Sequence, residues 1–287
     1  MTGLWSRRIV LAGLGASALV PPPAKAADRG KLAKLRAQGS MKIAIANGLP
    51  WSQLNPDGSL AGIAPEIVMA VAPRIGIPKL ETTVSTYGEL VPGLQAGRWD
   101  MIGASLTISP ERCKQVLFCD PFFREDATQW VGFLPGSVKT PPKSFVELAA
   151  NFESIGLSTG SAELPYLNQA IATAGKKPTL LQFGDSPLLI DALLTKRVPI
   201  VTADAKTMHL FQKSRGGFEI APVDPGHVSR GSAGAFHLED SDLRDAFVKE
   251  FRALRASGKI AEILKKYDFE YDPKFMDFSG EQACAIV

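Results

Sequence analysis

Hydrophobic residues follow two alternating patterns along most of the chain. Short runs rich in apolar and β-branched residues are typical of buried strands, and they alternate with stretches in which apolar residues recur every three or four positions, as on one face of a helix. These patterns predict strands at residues 42–46, 101–105, 129–134, 154–157, 179–183, 198–203 and 233–238. They predict helices at residues 28–38, 162–174, 186–195, 205–213, 242–256 and 259–267, with further helices opening at Pro65, near Leu90, at Ser109 and at Ser144.

The alternation of strands and helices predicts two α/β layered units with mainly parallel sheets. The length agrees, because 287 residues are about two domains of roughly 150 residues each. The second unit is expected to begin near residue 128. The composition is 45% hydrophobic and 21% charged, which is ordinary for a globular protein and excludes collagen, coiled coils and intrinsic disorder.

The N-terminal residues are typical of an export signal. Arg7 and Arg8 precede an apolar stretch at residues 9–20, and a small-x-small cleavage pattern follows at residues 24–26. The apolar stretch is shorter than the roughly 20 residues that a membrane span needs. Paired arginines occur in both general secretory and twin-arginine signals, so both export routes stay open.

Export of a cleaved chain changes the charge balance. We expect a signal peptide at residues 1–26 and a lead-in segment at residues 27–39, with the mature protein in the periplasm. The whole chain has 32 basic and 29 acidic residues, and removal of the signal takes away three basic and no acidic residues, leaving 29 of each. A neutral protein lacks the basic footprint of a nucleic-acid binder, so no nucleic-acid partner is expected.

The usual motifs of catalysis and metal binding do not occur in the sequence. The three histidines are widely separated, no His-Glu-x-x-His motif occurs, and the three cysteines lack the paired spacing of a zinc site. We therefore expect no metal and no cofactor. These observations favour a binding function, while an enzyme stays open.

A polar segment after one buried strand is the best candidate for ligand binding. Ser105 is expected at the end of the strand, Thr107 on the connection and Arg112 just after a helix start. Open α/β sheets bind ligands at the carboxyl ends of their strands, and the planar guanidinium of arginine matches a carboxylate. The segment is therefore a candidate carboxylate site. The alternative is a surface arginine paired with Glu111 or Asp120.

Several motifs resemble solute-binding protein family 3, the extracytoplasmic receptors of ABC importers for polar amino acids and related compounds. The segments that carry the resemblance are residues 90–100, 107–112, 118–122, 156–161, 198–204 and 254–267. The ectoine- and hydroxyectoine-binding branch is more similar at residues 46–51, 110–115 and 281–284. The resemblance covers nearly the whole mature chain.

The resemblance implies the two-lobed α/β fold of a type II periplasmic binding protein. The first lobe would comprise residues 40–123 and 232–287, and the second residues 128–222. Two crossing segments, residues 124–127 and 223–231, would form a hinge whose closure traps the ligand. The resemblance also implies a monomer that delivers a small zwitterion to an ABC permease in the inner membrane.

Seven positions align with ligand-binding residues of the family: Trp51, Tyr87, Ser105, Thr107, Arg112, Ser161 and Asp204. The resemblance implies that Arg112 clamps a carboxylate, with hydrogen bonds from the neighbouring serine and threonine. Ser161 would lie at the positive N-terminal end of the helix expected from residue 162, which would favour the same ligand carboxylate. Asp204 would pair with the α-ammonium of the ligand, and the two aromatic side chains would wall the site and attract a cation.

Some of these roles have simpler structural alternatives. Trp51 could be a core aromatic, Tyr87 a packing residue at a helix start, and Asp204 the N-cap of the following helix. The ectoine-binding branch also places an acid near Gly48 and an aromatic at the position of Thr107, and neither is present here. Ectoine, a polar or cationic amino acid and other compatible zwitterions therefore stay open as ligands.

Two alternatives to a transport-binding protein also stay open. One is an enzyme on the same fold, similar to cyclohexadienyl dehydratase, and the other is a ligand-sensing subunit for a separate membrane receptor. The enzyme would need a general acid with a raised pKa in the cleft. Asp204 is the one acid that the resemblance places there.

The cysteines suggest one crosslink. Cys113 and Cys284 lie in segments that the implied fold would place in the same lobe, and export permits a disulfide between them. Cys119 would then remain as a buried thiol.

Overall fold

The structure is a computed structural model that describes residues 30–124, 128–226, 231–271, 273 and 277–285. The expected signal peptide and parts of both expected hinge segments, residues 125–127 and 227–230, lie outside the described residues. Among the described residues, none of the helices combines the length and the apolar character that crossing a bilayer requires.

The predicted rhythm of strands and helices is present from end to end. The described helices are α1 (Lys31–Gln38), α2 (Ile63–Val71), α3 (Tyr87–Gln95), α4 (Pro110–Cys113), α5 (Phe145–Asn151), α6 (Leu164–Ala174), α7 (Ser186–Leu194), α8 (Ala205–Arg215), α9 (Ser241–Ala256), α10 (Lys259–Lys265) and α11 (Gly280–Ala285). The described strands are β1 (Ser40–Ile45), β2 (Gln53–Leu54), β3 (Leu60–Ala61), β4 (Lys79–Val84), β5 (Met101–Thr107), β6 (Leu117–Phe118), β7 (Gln129–Phe133), β8 (Ser154–Ser158), β9 (Thr179–Phe183), β10 (Ile200–Asp204), β11 (Glu219–Val223) and β12 (Ser232–Phe236).

The strands form two five-stranded sheets and one small hairpin of β2 and β3. The first sheet has the order β4-β1-β5-β12-β6, and the second has the order β11-β7-β10-β8-β9. Because β12 belongs to the first sheet, the chain passes from the first sheet to the second after β6 and returns after β11. The α/β class is confirmed.

The expectation of mainly parallel sheets is wrong. β1 is parallel to β4 and β5, whereas β12 is antiparallel to both β5 and β6. In the second sheet β8 is parallel to β9 and β10, whereas β7 is antiparallel to β10 and β11. All of these antiparallel pairs involve β7 or β12, which are the first strands after the two crossings between the sheets.

Each sheet is covered by helices that bury an apolar stripe. In α9, which packs against the first sheet, Leu243, Phe247 and Phe251 recur every four residues and are fully buried, because residues four apart lie on one face of a helix. In the second sheet, successive residues of β10 face opposite sides. Ile200 accordingly joins the apolar cluster that includes residues of α5 and α6, and Val201 joins the one that includes residues of α7 and α8.

A disulfide ties the C-terminal helix back to the first sheet. It joins Cys113 in α4 to Cys284 in α11, across 171 positions of sequence, and it is the pairing expected above. Cys119 is fully buried, and burial raises the pKa of its thiol.

Candidate functional site

The end of β5 is strained and carries an unpaired hydroxyl. Ser105 has φ 52°, in the left-handed region that residues other than glycine rarely adopt. The pairing of β12 with β5 shifts register between Ala233 and Ala235. The Ser105 hydroxyl is buried and has no hydrogen-bond partner among the described residues. Local strain and an unsatisfied polar group are both typical of a binding site.

Arg112 contacts both sheet-bearing units. Ser109 Oγ caps α4 by accepting the backbone N–H of Arg112 at 3.3 Å. Its Nη1 donates to Thr107 O at 2.9 Å, and its Nη2 donates to Gly160 O, beyond β8, at 3.1 Å. Thr107 is the last residue of β5, not part of the connection as expected. Burial lowers the pKa of Arg112, while the nearby carboxylate of Glu163 opposes that shift, so the guanidinium stays charged.

Asp120 pairs with Arg252 and not with Arg112, so the expected alternative of a surface ion pair between Arg112 and Asp120 is wrong. Its two carboxylate oxygens accept hydrogen bonds from Arg252, Nε at 2.7 Å and Nη2 at 3.0 Å. Arg112 instead donates to Gly160 O across the cleft and is half-buried.

Trp51 joins the two units by its indole nitrogen. The side chain is 7% exposed, and its ring stacks on Phe123 at a centroid distance of 4.9 Å. Trp51 Nε1 donates to Asp204 Oδ2 at 3.2 Å and to Thr207 Oγ1 at 3.0 Å. The side chain is therefore a core aromatic on one side and a cross-cleft donor on the other.

Asp204 is the N-cap of α8, as the simpler alternative supposed. Its Oδ1 accepts the Thr207 N–H at 2.8 Å, and its Oδ2 accepts the Thr207 hydroxyl at 2.7 Å in addition to the indole of Trp51. Burial raises the pKa of Asp204, and these hydrogen bonds lower it. The same carboxylate thus caps a helix and contacts the first unit.

The helix expected from residue 162 begins instead at Leu164. Pro165 fits the first turn of a helix because its missing N–H has no partner there in any case. Ser161 and Glu163 therefore precede the helix, in a turn closed by the Leu164 N–H and Ser161 O at 3.3 Å. Ser161 is not at the helix N-terminus itself.

Glu163 is a second acid in the cleft, which the sequence pattern did not indicate. Burial raises the pKa of its carboxyl most, the charge of Asp204 raises it further, and the charge of Arg112 lowers it. The carboxyl thus lies in the field of both Arg112 and Asp204. A helix starting at residue 162 would have placed Glu163 inside the first turn. Pro165, two residues later, was the available signal that the helix begins only after Glu163.

Tyr87 and two glycines complete the rim. Tyr87 opens α3, and its hydroxyl donates to Ala104 O at 3.2 Å. Gly160 has φ 71° and lies so close to Gly88 that a Cβ on Gly160 would be 2.2 Å from Gly88 N. Only a residue without a side chain permits this approach of the two backbones.

The carboxyl ends of β5, β8 and β10 therefore meet across one cleft. It contains one guanidinium, two carboxyls, a strained serine and two aromatic side chains, all partly or fully removed from water. Such a set can hold a molecule with charges of both signs. The residues that the structure describes hold no cluster of His, Cys, Asp and Glu suited to a metal ion.

The matching family model and both relatives described here are binding proteins. Residues 41–270 match the family model "Bacterial extracellular solute-binding proteins, family 3". The "Probable amino-acid ABC transporter periplasmic-binding protein y4tE" of Sinorhizobium fredii is 29% identical over 248 residues, covering 83% of this chain and 80% of that protein. The "L-arginine-binding protein" of Pseudomonas aeruginosa is 27% identical over 229 residues, covering 78% and 85%.

A solved structure agrees in shape over nearly the whole chain. The crystal structure of EhuB in complex with hydroxyectoine superposes with a TM-score of 0.77 at 28% sequence identity. The match covers 90% of this chain and 98% of that chain.

Proposed function

The chain belongs to the bacterial extracellular solute-binding proteins of family 3, and we propose that it captures a small zwitterion, an amino acid or an ectoine-like compatible solute, in the cleft between its lobes. The expected family and the two-lobed periplasmic-binding fold are confirmed. The observation that carries the proposal is the placement of Arg112 opposite Asp204 and Glu163 between the two sheets.

Arg112 is the proposed carboxylate-binding group. Its guanidinium is half-buried and already directed at acceptors on both sides of the cleft. A guanidinium has five N–H donors, so Arg112 can bind a ligand carboxylate and keep its contact with Gly160 O across the cleft. Hydrogen bonds between two ionised groups are also stronger than those to neutral groups. The free hydroxyl of Ser105 would donate to the same carboxylate, with Thr107 and Ser161 as neighbouring polar groups.

The two acids are the proposed cation-binding groups. Three donors already converge on Asp204, two from Thr207 and one from Trp51. Glu163 therefore carries more free acceptor capacity for a ligand ammonium. Together the three charged side chains sum to one negative charge when both acids are ionised, which favours neutral zwitterions and cationic amino acids over acidic ones. Tyr87 and Trp51 would wall the cationic end.

We further propose the context that the family implies. The first lobe would be residues 40–123 and 232–287, the second residues 128–222, and the hinge residues 124–127 and 223–231. The mature protein would act as a monomer in the periplasm and deliver its ligand to an ABC permease in the inner membrane. It would act without chemistry on the ligand, and without a cofactor or nucleic acid.

A ligand screen with matched variants tests the proposal. Purified mature protein is screened by thermal shift against amino acids, ectoines and betaines, and hits are measured by calorimetry. Arg112→Ala is expected to weaken binding at least 100-fold and leave the circular dichroism spectrum unchanged. Arg98→Ala, which removes an exposed pair with Glu89, serves as the control. Equal affinity of the wild type and Arg112→Ala would remove Arg112 from the site.

Glu163 also favours a second candidate, an enzyme similar to cyclohexadienyl dehydratase. A half-buried carboxyl in the cleft whose pKa is raised by desolvation is what a general acid requires. Incubation with prephenate or arogenate, followed by chromatography of the products, decides between the two. We expect no turnover. Turnover by the wild type that is lost in Glu163→Gln would establish the enzyme instead.

A further inference from the structure

We propose that the Cys113–Cys284 disulfide positions the Arg112 guanidinium, so that this bridge outside the cleft sets ligand affinity as well as stability. The inference rests on the proposed function, in which Arg112 binds the ligand carboxylate. It assigns a role in binding to two side chains that do not themselves contact the ligand.

Arg112 lies on an element too short to hold its own orientation. α4 is a single turn of four residues, and isolated helices shorter than about 12 residues are marginal in water. One backbone hydrogen bond lies within the turn, where Ser109 O accepts the Cys113 N–H at 2.9 Å, and one leads to the residues directly after it, where Arg112 O accepts the Val116 N–H at 3.0 Å. The direction of the Arg112 side chain therefore depends on what ties this turn to the rest of the lobe.

The other end of the disulfide is firmly seated. α11 begins at Gly280, which lies so close to the end of β6 that a Cβ there would be 2.5 Å from Cys119 O and 2.6 Å from Phe118 O. Ala283, next to the bridged cysteine, is fully buried. α11 is thus fixed against the first lobe, and the disulfide transmits that rigidity to the residue directly after Arg112.

The geometry of Arg112 makes it sensitive to small displacements. Nη1 is held by Thr107 O on its own lobe, and Nη2 reaches Gly160 O on the other. A two-pronged contact with a carboxylate needs both groups in place, and binding groups must be held within about 0.5 Å of their working positions. A turn released from α11 would lose that precision while the remainder of the lobe stays packed.

The first experiment needs no ligand. Full-length mature protein with ¹⁵N-labelled arginine is compared with the double variant Cys113→Ser and Cys284→Ser. The resonances of Arg112 Nη1 and Nη2, the groups that contact Thr107 and Gly160, are assigned by their disappearance in Arg112→Lys, and their exchange with solvent is measured. We expect exchange at least tenfold faster in the double variant. The Arg252 resonance, whose Nε donates to Asp120 at 2.7 Å, is the internal reference.

A control variant separates positioning from a general weakening of α11. Glu281→Gln neutralises the ion pair of Arg244 Nη1 with Glu281 Oε1 at 3.2 Å and leaves the bridge intact. We expect wild-type exchange of Arg112 in this variant. If the double variant does not fold, the wild type is measured before and after reduction with dithiothreitol. In that reaction each cysteine sulfur gains one electron and one proton, while the two thiols of the reagent form a cyclic disulfide.

The binding arm uses L-arginine, L-argininamide and hydroxyectoine as probes. In the double variant we expect affinity for the carboxylate probes to fall about tenfold at 25 °C, and affinity for the amide to change less than threefold. Unchanged Arg112 exchange after loss of the bridge would overturn the proposal, as would an equal effect of Glu281→Gln. If no probe binds the wild type, the choice of ligands in the proposed function has failed, and the exchange arm alone decides the positioning role.

Discussion

Gly160 permits the sharpest test of lobe closure. The glycine lies in the left-handed region at φ 71°, and a Cβ there would be 2.2 Å from Gly88 N and 2.3 Å from Gly88 Cα. These are backbone atoms of the opposite lobe, so the overlap in Gly160→Ala is relieved only when the lobes move apart. Gly175→Ala is the matched control. Gly175 has φ 64° and nothing within 4 Å of a Cβ, so it shares the conformational cost and lacks the clash.

The contacts at the cleft give the expected size of the effect. Both variants lose about 1–2 kcal/mol of stability, because an alanine is strained in the left-handed region. Only Gly160→Ala also separates the lobes. This removes two charged hydrogen bonds, from Arg112 to Gly160 and from Trp51 to Asp204, each worth about 1.5–3 kcal/mol. The sum of about 3–6 kcal/mol corresponds to roughly 100-fold to 10,000-fold weaker ligand binding at tenfold per 1.4 kcal/mol.

Calorimetry and small-angle X-ray scattering provide the two readouts. Gly160→Ala is expected to bind the screened ligand at least 100-fold more weakly and to keep an enlarged radius of gyration when the ligand is present. Gly175→Ala should match the wild type in both measurements. Wild-type affinity in Gly160→Ala would show that ligand capture does not require the approach of the two glycine backbones. That result would refute the dependence of ligand binding on closure of the lobes at this contact.

Three further predictions concern single side chains. Ser105→Gly relieves the positive φ and should raise the denaturation midpoint while weakening carboxylate binding about tenfold; lower stability with unchanged affinity would contradict this. Trp51→Phe keeps the ring but loses the donor to Asp204, so binding should weaken about tenfold and the ligand-induced fluorescence change should vanish; a persisting change would come from another tryptophan. The raised pKa of Glu163 means that the folded state holds extra protons, so its contribution to stability is present below the unfolded value of 4.5 and is lost as the pH rises through the folded value. The melting temperature of the wild type should therefore fall relative to Glu163→Gln as the pH rises above 4.5, and a constant difference would refute the assignment.

Most helices and most strands could be predicted because their signals are local, whereas the C-terminal helix α11 was not predicted. The stripe of Leu243, Phe247 and Phe251 specifies α9 from spacing alone, and Ser109 indicates the start of α4. Strand direction was not predictable in the same way. Whether β12 runs parallel or antiparallel to β5 depends on where the chain re-enters the sheet after the second lobe, which no local pattern records.

The candidate site likewise has a part that local sequence signals indicate and a part that depends on the fold. The motif and the family resemblance indicate Arg112, because a guanidinium after a buried strand is a local feature. Its bond to Gly160 joins residues 48 positions apart in different lobes and needs the fold. Glu163 was missed for a local reason, since a helix drawn from residue 162 hides it in the first turn. The sequence predicted that Asp204 could cap α8, but it did not predict that the same carboxylate accepts a hydrogen bond from Trp51.

The chemistry of Cys119 bears on how closure can be observed. With Cys113 and Cys284 bonded to each other, Cys119 is the remaining thiol, and it is fully buried with its ionisation suppressed. Maleimide reagents attack exposed thiolates. A cysteine engineered at the outer tip of either lobe should therefore be labelled selectively, and a pair of dyes could report opening and closing of single molecules without removal of any native cysteine.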